Sequence, residues 1–157
     1  MLFRVDERLI HGQVVIGWGH ELRPDRYLVV DDGLAESAWE QELYRLGADG
    51  AEVDFLPSSV AVGKLASYQG AAPRTIVLTR DVATMRELAE GGEMRGRTVN
   101  FGGIHHGPER EKVLNYLHLA PAEVDDIRRI LRAGVRVQAR DLPDAPRVDL
   151  AEELGLT

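Results

Sequence analysis

The chain has no cysteine, which excludes disulfides, thiolate metal sites and cysteine nucleophiles and suits a cytosolic protein. It has no run of about 18 or more apolar residues, so no membrane-spanning segment is expected. The N-terminus lacks a basic region followed by a long apolar core, so no secretory signal is expected either. Positive charge is not in excess: 19 Lys+Arg against 26 Asp+Glu leave a net charge of −7. That balance argues against nucleic acid as a main partner, because such affinity comes largely from cationic contacts with phosphates. There is no HExxH and no Cys/His spacing for zinc or iron, and no Gly-x-Gly-x-x-Gly or Walker-type loop for a nucleotide. Neither metal nor cofactor is expected. No internal repeat, low-complexity tract or linker is visible, so residues 1–157 are expected to form a single domain.

What is present is a strand–helix alternation. Met1-Leu2-Phe3 with Val5 reads as a short strand, followed by the charged Asp6-Glu7-Arg8 and a helix from Val14 to Leu22 that ends before Pro24. Arg26 to Val30 is a β-rich run stopped by Asp31-Asp32-Gly33. Leu34 to Leu46 carries apolar residues at 35, 39, 43 and 46, a helical period closing at Gly47. A third strand is expected at Glu52 to Leu56, a helix from Pro57-Ser58-Ser59 to about Tyr68, and a fourth strand at Arg74 to Leu78. Val82 to Ala89 reads as helix, Thr98 to Phe101 as a fifth strand and Val113 to Leu119 as a sixth. Pro121 near a first helical position, with Glu123 behind it, begins a helix whose stripe at 124, 127, 130 and 131 stops at Gly134. Val135 to Ala139 is expected as the final strand. The pattern predicts an α/β fold: a three-layer α/β/α domain with an open, mostly parallel sheet of six to seven strands.

In such a sheet the loops at the carboxyl ends of the strands converge, and ligands bind there. Five of these loops carry chemistry: Asp6 to Gln13, Asp31 to Gly33, Pro57 to Ser59, Thr79 to Asp81 and Asn100 to Pro108. The first holds His11 at a strand–loop–helix junction, with Arg4 and Arg8 close by in sequence. His11 is either an ordinary polar residue at a helix start or the centre of a phosphate-handling site. Imidazole is a competent nucleophile near neutral pH, with an unperturbed pKa of about 6.5. It accepts a phosphoryl group where the surroundings offset the oxygen charges. The amides of Gly12 and Gln13, a helix N-terminus, Arg8 and Arg4 are the candidates for that. Asp6 either orients the ring or holds Arg8. Asp31, Ser58, Thr79, Arg80, Gly102, Gly103 and His105 are candidate neighbours of the active loop.

Arg4-Val5-Asp6-Glu7-Arg8-Leu9-Ile10-His11-Gly12-Gln13-Val14 closely resembles the opening of the IIB components of the mannose/fructose/sorbose family of the bacterial phosphotransferase system. That opening reads Arg-hydrophobic-Asp-Asp-Arg-Leu-Ile-His-Gly-Gln-Val, so Glu7 is the one departure. Val29-Val30-Asp31-Asp32 resembles the family's second strand and acidic turn. Asn100 to His105 resembles its Asn-Val-Gly-Gly-Met segment, and the end from Gly134 through Pro143 to Leu150 runs in step. The resemblance implies a cytoplasmic phosphocarrier with an open α/β sheet. By position, His11 would be phosphorylated on Nδ1 by a IIA partner. It would pass the group to a sugar held by IIC and IID membrane subunits. Arg8 would steady the phosphate and Asp6 would be the supporting carboxylate. His11 should then be exposed on a protruding loop, with apolar patches on its rim for small, transient docking. His106-Gly107-Pro108 departs where an aromatic residue is expected.

Two alternatives compete. A IIB-like regulatory phosphoprotein would share the whole motif but signal by binding a regulator. A histidine-phosphatase-like phosphomonoesterase would need an arginine directly before the histidine, where this chain has Ile10. The sugar and any homo-oligomeric state are not readable from the sequence.

Overall fold

The computed structural model describes residues 1–69 and 74–156. Seven strands form one sheet in the order β3-β2-β4-β1-β5-β8-β9. They are β1 (Leu2–Val5), β2 (Arg26–Val30), β3 (Glu52–Leu56), β4 (Thr75–Thr79), β5 (Thr98–Phe101), β8 (Arg136–Ala139) and β9 (Val148–Asp149). Every pairing is parallel except that of β8 with β9. Strand β1, between β4 and β5, is central, so both its faces are covered and it has no solvent side for a polar residue.

The two faces are covered differently. One is packed by α3 (Ser58–Tyr68), α4 (Val82–Glu90), α5 (Pro121–Arg132) and α6 (Leu150–Glu153), through Ala61, Leu65, Met85, Leu88, Ile127 and Ile130 among others. The opposite face carries α1 and α2 (Ala38–Leu46), with Val14, Val15, Trp18 and Tyr44 over Tyr27, Val29, Ile76 and Leu78. Helix α1 is π-helical over Gln13–Trp18 and continues as a regular turn over Gly19–Leu22. Side chains cap several helices. Asp32 accepts from the Ser58 amide at 2.8 Å, Asp81 from Thr84 at 2.7 Å, and Glu123 from the Ala120 amide at 2.9 Å. Among the described residues no helix is long and apolar enough to cross a membrane.

Three expected boundaries differ. Val113 to Leu119 is not a sheet strand but most of a hairpin, β6 (Glu111–Leu114) and β7 (Leu117–Leu119), which forms its own two-stranded sheet. A turn at Asn115-Tyr116 splits the run. The helix expected from Leu34 breaks at Ser37, because a 3-10 turn over Leu34–Glu36 is fixed by Asp31, whose carboxylate accepts from the Leu34 amide at 2.9 Å. Finally, β8 is not the last strand. The two-residue β9 follows it, too short to give a period in the sequence.

Candidate functional site

The loop after β1 stays stitched to the sheet on both sides. The Asp6 amide donates to the Thr79 carbonyl and the Glu7 amide to that of Gly103, each at 3.0 Å. The chain then folds back, with the Leu9 amide donating to the Asp6 carbonyl at 3.0 Å. Leu9 sits at φ +56°, a left-handed conformation that a branched side chain adopts at a cost of about 1 kcal/mol. Its side chain is fully buried, as is most of Ile10, and this packing offsets the strain. Leu9 and Ile10 thus pin the loop from below, and His11 emerges at the start of α1.

His11 is less open than a protruding loop predicts. Its side chain is 14% exposed, because the Nε2 edge is drawn down to Asp6 Oδ2 at 3.0 Å. The neighbouring Gly12 leaves open space, since a Cβ there would meet nothing within 4 Å. With Nε2 carrying the proton toward Asp6, Nδ1 presents its lone pair.

Asp6 is fully buried and shared. Its Oδ2 takes both His11 and the Arg4 guanidinium, at 3.0 and 3.3 Å, and its Oδ1 accepts the Arg8 amide at 3.1 Å. Burial by itself would push this carboxyl up. The His11 hydrogen bond, the Arg4 charge and the Arg8 amide overcome it and hold Asp6 below the usual carboxylate range.

Arg4 lies in the interior, not among open phosphate contacts. Beyond Asp6 it donates to the carbonyls of Arg140 at 2.9 Å and Asp141 at 3.1 Å, and its Cζ stands 5.3 Å from the Trp18 ring centroid. Burial lowers its pKa, opposed by Asp6, and an arginine remains charged through such a shift. Gly102 makes room for this group: a Cβ on it would fall 2.2 Å from Arg4 Nη2. Arg8, by contrast, is exposed, with Nη2 on Gln13 Oε1 at 3.0 Å.

The remaining candidates divide. Gly103 lines the loop, 3.8 Å from both Arg8 and Asp6 when measured from a Cβ placed on it. His105 reaches the loop through Glu7, whose Oε2 takes the His105 amide at 3.0 Å and Nδ1 at 2.7 Å. Thr79 contributes its carbonyl to Asp6 and turns its hydroxyl to the Asp81 carbonyl. Asp31 and Arg80 pair with each other at 3.4 Å, and the Ser58 amide is taken by Asp32. Among the described residues, no hydrogen bond or ion pair links Asp31, Ser58 or Arg80 to His11.

Sequence reasoning placed Glu7 in the loop without a role, and missed Arg110 and the Arg140-Asp141 segment. Arg110 bonds Glu7 at 2.7 Å and Glu123 at 3.0 Å, fastening the β5–β6 connection to the active loop. Arg140 and Asp141 follow β8, whose carboxyl end also belongs to the converging edge, so the rule that selected the other five loops would have selected this one. A groove of about 640 Å³ runs beside the loop, lined by Gly12, Gln13, Ile16, Gly17, Leu142 and Pro143.

Known proteins resemble this chain along nearly its whole length. Residues 1–156 match the family described as the sorbose subfamily IIB component of the PTS system. The N-acetylgalactosamine-specific phosphotransferase enzyme IIB component 1 of Escherichia coli K12 is 29% identical over 148 residues, 91% of this chain and 90% of that one. The sorbose-specific EIIB component of Klebsiella pneumoniae is 27% identical over 160 residues, covering 99% and 95%. The crystal structure of the N-acetylgalactosamine-specific IIB component 1 from Escherichia coli superposes with a TM-score of 0.85 at 26% identity, over 94% of this chain and 96% of that chain. Neither the regulatory nor the hydrolase alternative is favoured by these matches. The chain belongs to the sorbose-subfamily IIB components of the bacterial phosphotransferase system, phosphotransferases that take a phosphoryl group from a IIA partner and pass it to a sugar.

Proposed function

We propose that His11 is the residue that carries the phosphoryl group, on Nδ1, in the cytoplasm, between a IIA protein and a sugar held by IIC and IID membrane subunits. The observation that carries this reading is the Asp6–His11 contact: a buried, ionised carboxylate fixes Nε2 at 3.0 Å and leaves the other nitrogen to react. In the first step the Nδ1 lone pair forms a bond to phosphorus as the donor's bond to phosphorus breaks, so no proton need leave Nδ1. The ring becomes cationic, and the Asp6 carboxylate beneath it stabilises that charge. In the second step the sugar hydroxyl attacks phosphorus and gives up its proton to a base on the membrane subunits or to water, the N–P bond breaks and the neutral ring of His11 is regenerated.

Arg8 is the mobile cation for the phosphoryl oxygens, steadied by Gln13, while the free amides at the start of α1 supply further donors. Such transfers depend on placement and charge stabilisation. Gly12 and the groove beside it leave space for a donor's surface. Arg4 acts through Asp6, not on the phosphate.

The test is incubation with phosphoenolpyruvate, the general phosphotransferase proteins and a IIA partner, followed by mass and acid-lability analysis. One acid-labile phosphate on His11 is expected, absent in His11→Ala. Full-strength phosphorylation of His11→Ala would refute the assignment.

A further inference from the structure

Helix α2 is built inside out. Its purely apolar side chains Trp39, Leu43 and Leu46 recur at helical spacing, and they are 68%, 59% and 83% exposed. Its attachment to the sheet uses amphiphilic groups instead. Tyr44 packs 6.3 Å from Phe55 between ring centroids, Arg45 lies 5.2 Å from the Phe55 ring centroid, and the Gln41 amide donates to the Leu34 carbonyl at 2.7 Å. None of its nine residues is buried. A stripe with a tryptophan and two leucines turned to water marks an interaction surface.

We propose that this stripe docks the basic cytoplasmic face of the sugar-accepting membrane subunits; the inference rests on the reading of His11 as the carrier. Three observations select that occupant. First, the surroundings are acidic. Glu40 flanks the stripe and Glu36 precedes it, while the helix's one cation, Arg45, is paired with Glu42 and packed on Phe55. Cytoplasmic loops of membrane proteins are enriched in Lys and Arg, which is the complementary sign. A second copy of this chain would bring glutamate against glutamate, and an anionic lipid surface would repel a chain of net charge −7. Second, α2 lies on the same face of the sheet as α1, the helix that begins just after His11. Third, its Trp39 end stands at the sheet's carboxyl edge. There α2 packs on Phe55 of β3, three strands from β1 and about 14 Å away at ordinary strand spacing, a distance that one large partner spans. The groove beside Gly12 lies against Leu142 and Pro143 after β8, on the other side of His11, and stays free for the donor.

The experiment uses the full chain with Trp39→Ser and Leu43→Ser together. Phosphorylation of His11 through IIA should match wild type, because neither residue belongs to the phosphoryl-carrying machinery. Transfer from the phosphorylated protein to sugar, on inside-out vesicles carrying IIC and IID, should show KM raised at least about 10-fold with kcat little changed. Glu36→Gln with Glu40→Gln should flatten the salt dependence of that KM. Transfer by the double serine variant at the wild-type KM overturns the proposal. So does a wild-type dimer in sedimentation velocity that the serine variant abolishes, which would make the stripe a seam between copies. Absence of phosphate on wild-type His11 would instead defeat the carrier reading, and this proposal with it.

Discussion

Arg4 and Arg8 stand four residues apart and look equally suited to a phosphate, yet the fold gives them opposite tasks. Arg4 points from the central strand into the interior, where Asp6, two carbonyls and the Trp18 ring take up its guanidinium. Arg8 lies beyond the strand's end, exposed, with its guanidinium on Gln13. Together they divide the site into a rigid floor that fixes His11 and a loose rim free to follow the phosphoryl group. Charge in the floor is structural because removing it strands a partner in low dielectric; charge in the rim is functional because water replaces it at little cost.

Breaking the floor gives the largest effect. Arg4→Met leaves Asp6 buried without its cation and should cost about 4 kcal/mol. For a chain of this length that is a fall of about 10 °C in melting temperature, read by thermal denaturation. Adding Asp6→Leu should restore much of the stability, since the unpaired charge is gone. It should not restore phosphorylation, since nothing then holds Nε2. The rim behaves the other way: Arg8→Ala should slow phosphoryl transfer about 100-fold. Its melting temperature should stay within about 2 °C of wild type.

The two glycines sharpen the same contrast. Gly102→Ala places a methyl 2.2 Å from Arg4 Nη2 and should cost about 2 kcal/mol as the floor is forced aside. Gly103→Ala finds its nearest neighbours at 3.8 Å and should be tolerated. Chemical denaturation of the pair checks both.

Much of this was legible beforehand. The alternation of apolar runs gave the sheet and its helices, and the loop with His11 was found because the carboxyl ends of parallel strands converge. The burial of Arg4 was not legible, because it depends on β1 being central. Strand order is set by long-range pairing such as Arg4 with Leu78 and Asn100. Gly102 reads in the sequence as a neighbour of the active loop; what it makes room for is a side chain 98 residues earlier. The outward stripe of α2 shows the same limit. Its period identified a helix, but periodicity reports an apolar face without saying which side meets the sheet.

Acid separates floor from rim more gently. The folded Asp6 carboxyl titrates below its unfolded value of about 3.9, so its contribution is complete above that value and is lost as pH falls through the lower, folded one. In Asp6→Asn, unfolding free energy should therefore start lower at pH 7 and decline less on acidification toward pH 3. An equal or steeper decline in the variant would show that Asp6 is not held ionised.

Glu7 gives the smallest effect, because it belongs to neither region but ties the rim to the β5–β6 connection. Its carboxylate takes the His105 amide and ring and the Arg110 guanidinium, and these overcome a partial burial that alone would raise it, leaving it below the ordinary range. The side chain remains about a quarter exposed, so solvent screens the gain, and Glu7→Gln should cost about 1 kcal/mol. The same sign applies as for Asp6: the loss is seen at neutral pH and fades as acid protonates the wild-type group. Locally, the amide of His105 should exchange faster with deuterium, while that of Val5, within the sheet, should not. Because the anchor holds a connection and not the nucleophile, phosphorylation of His11 should fall less in this variant than in Arg8→Ala. A greater loss would move Glu7 from the tether into the phosphate's immediate surroundings.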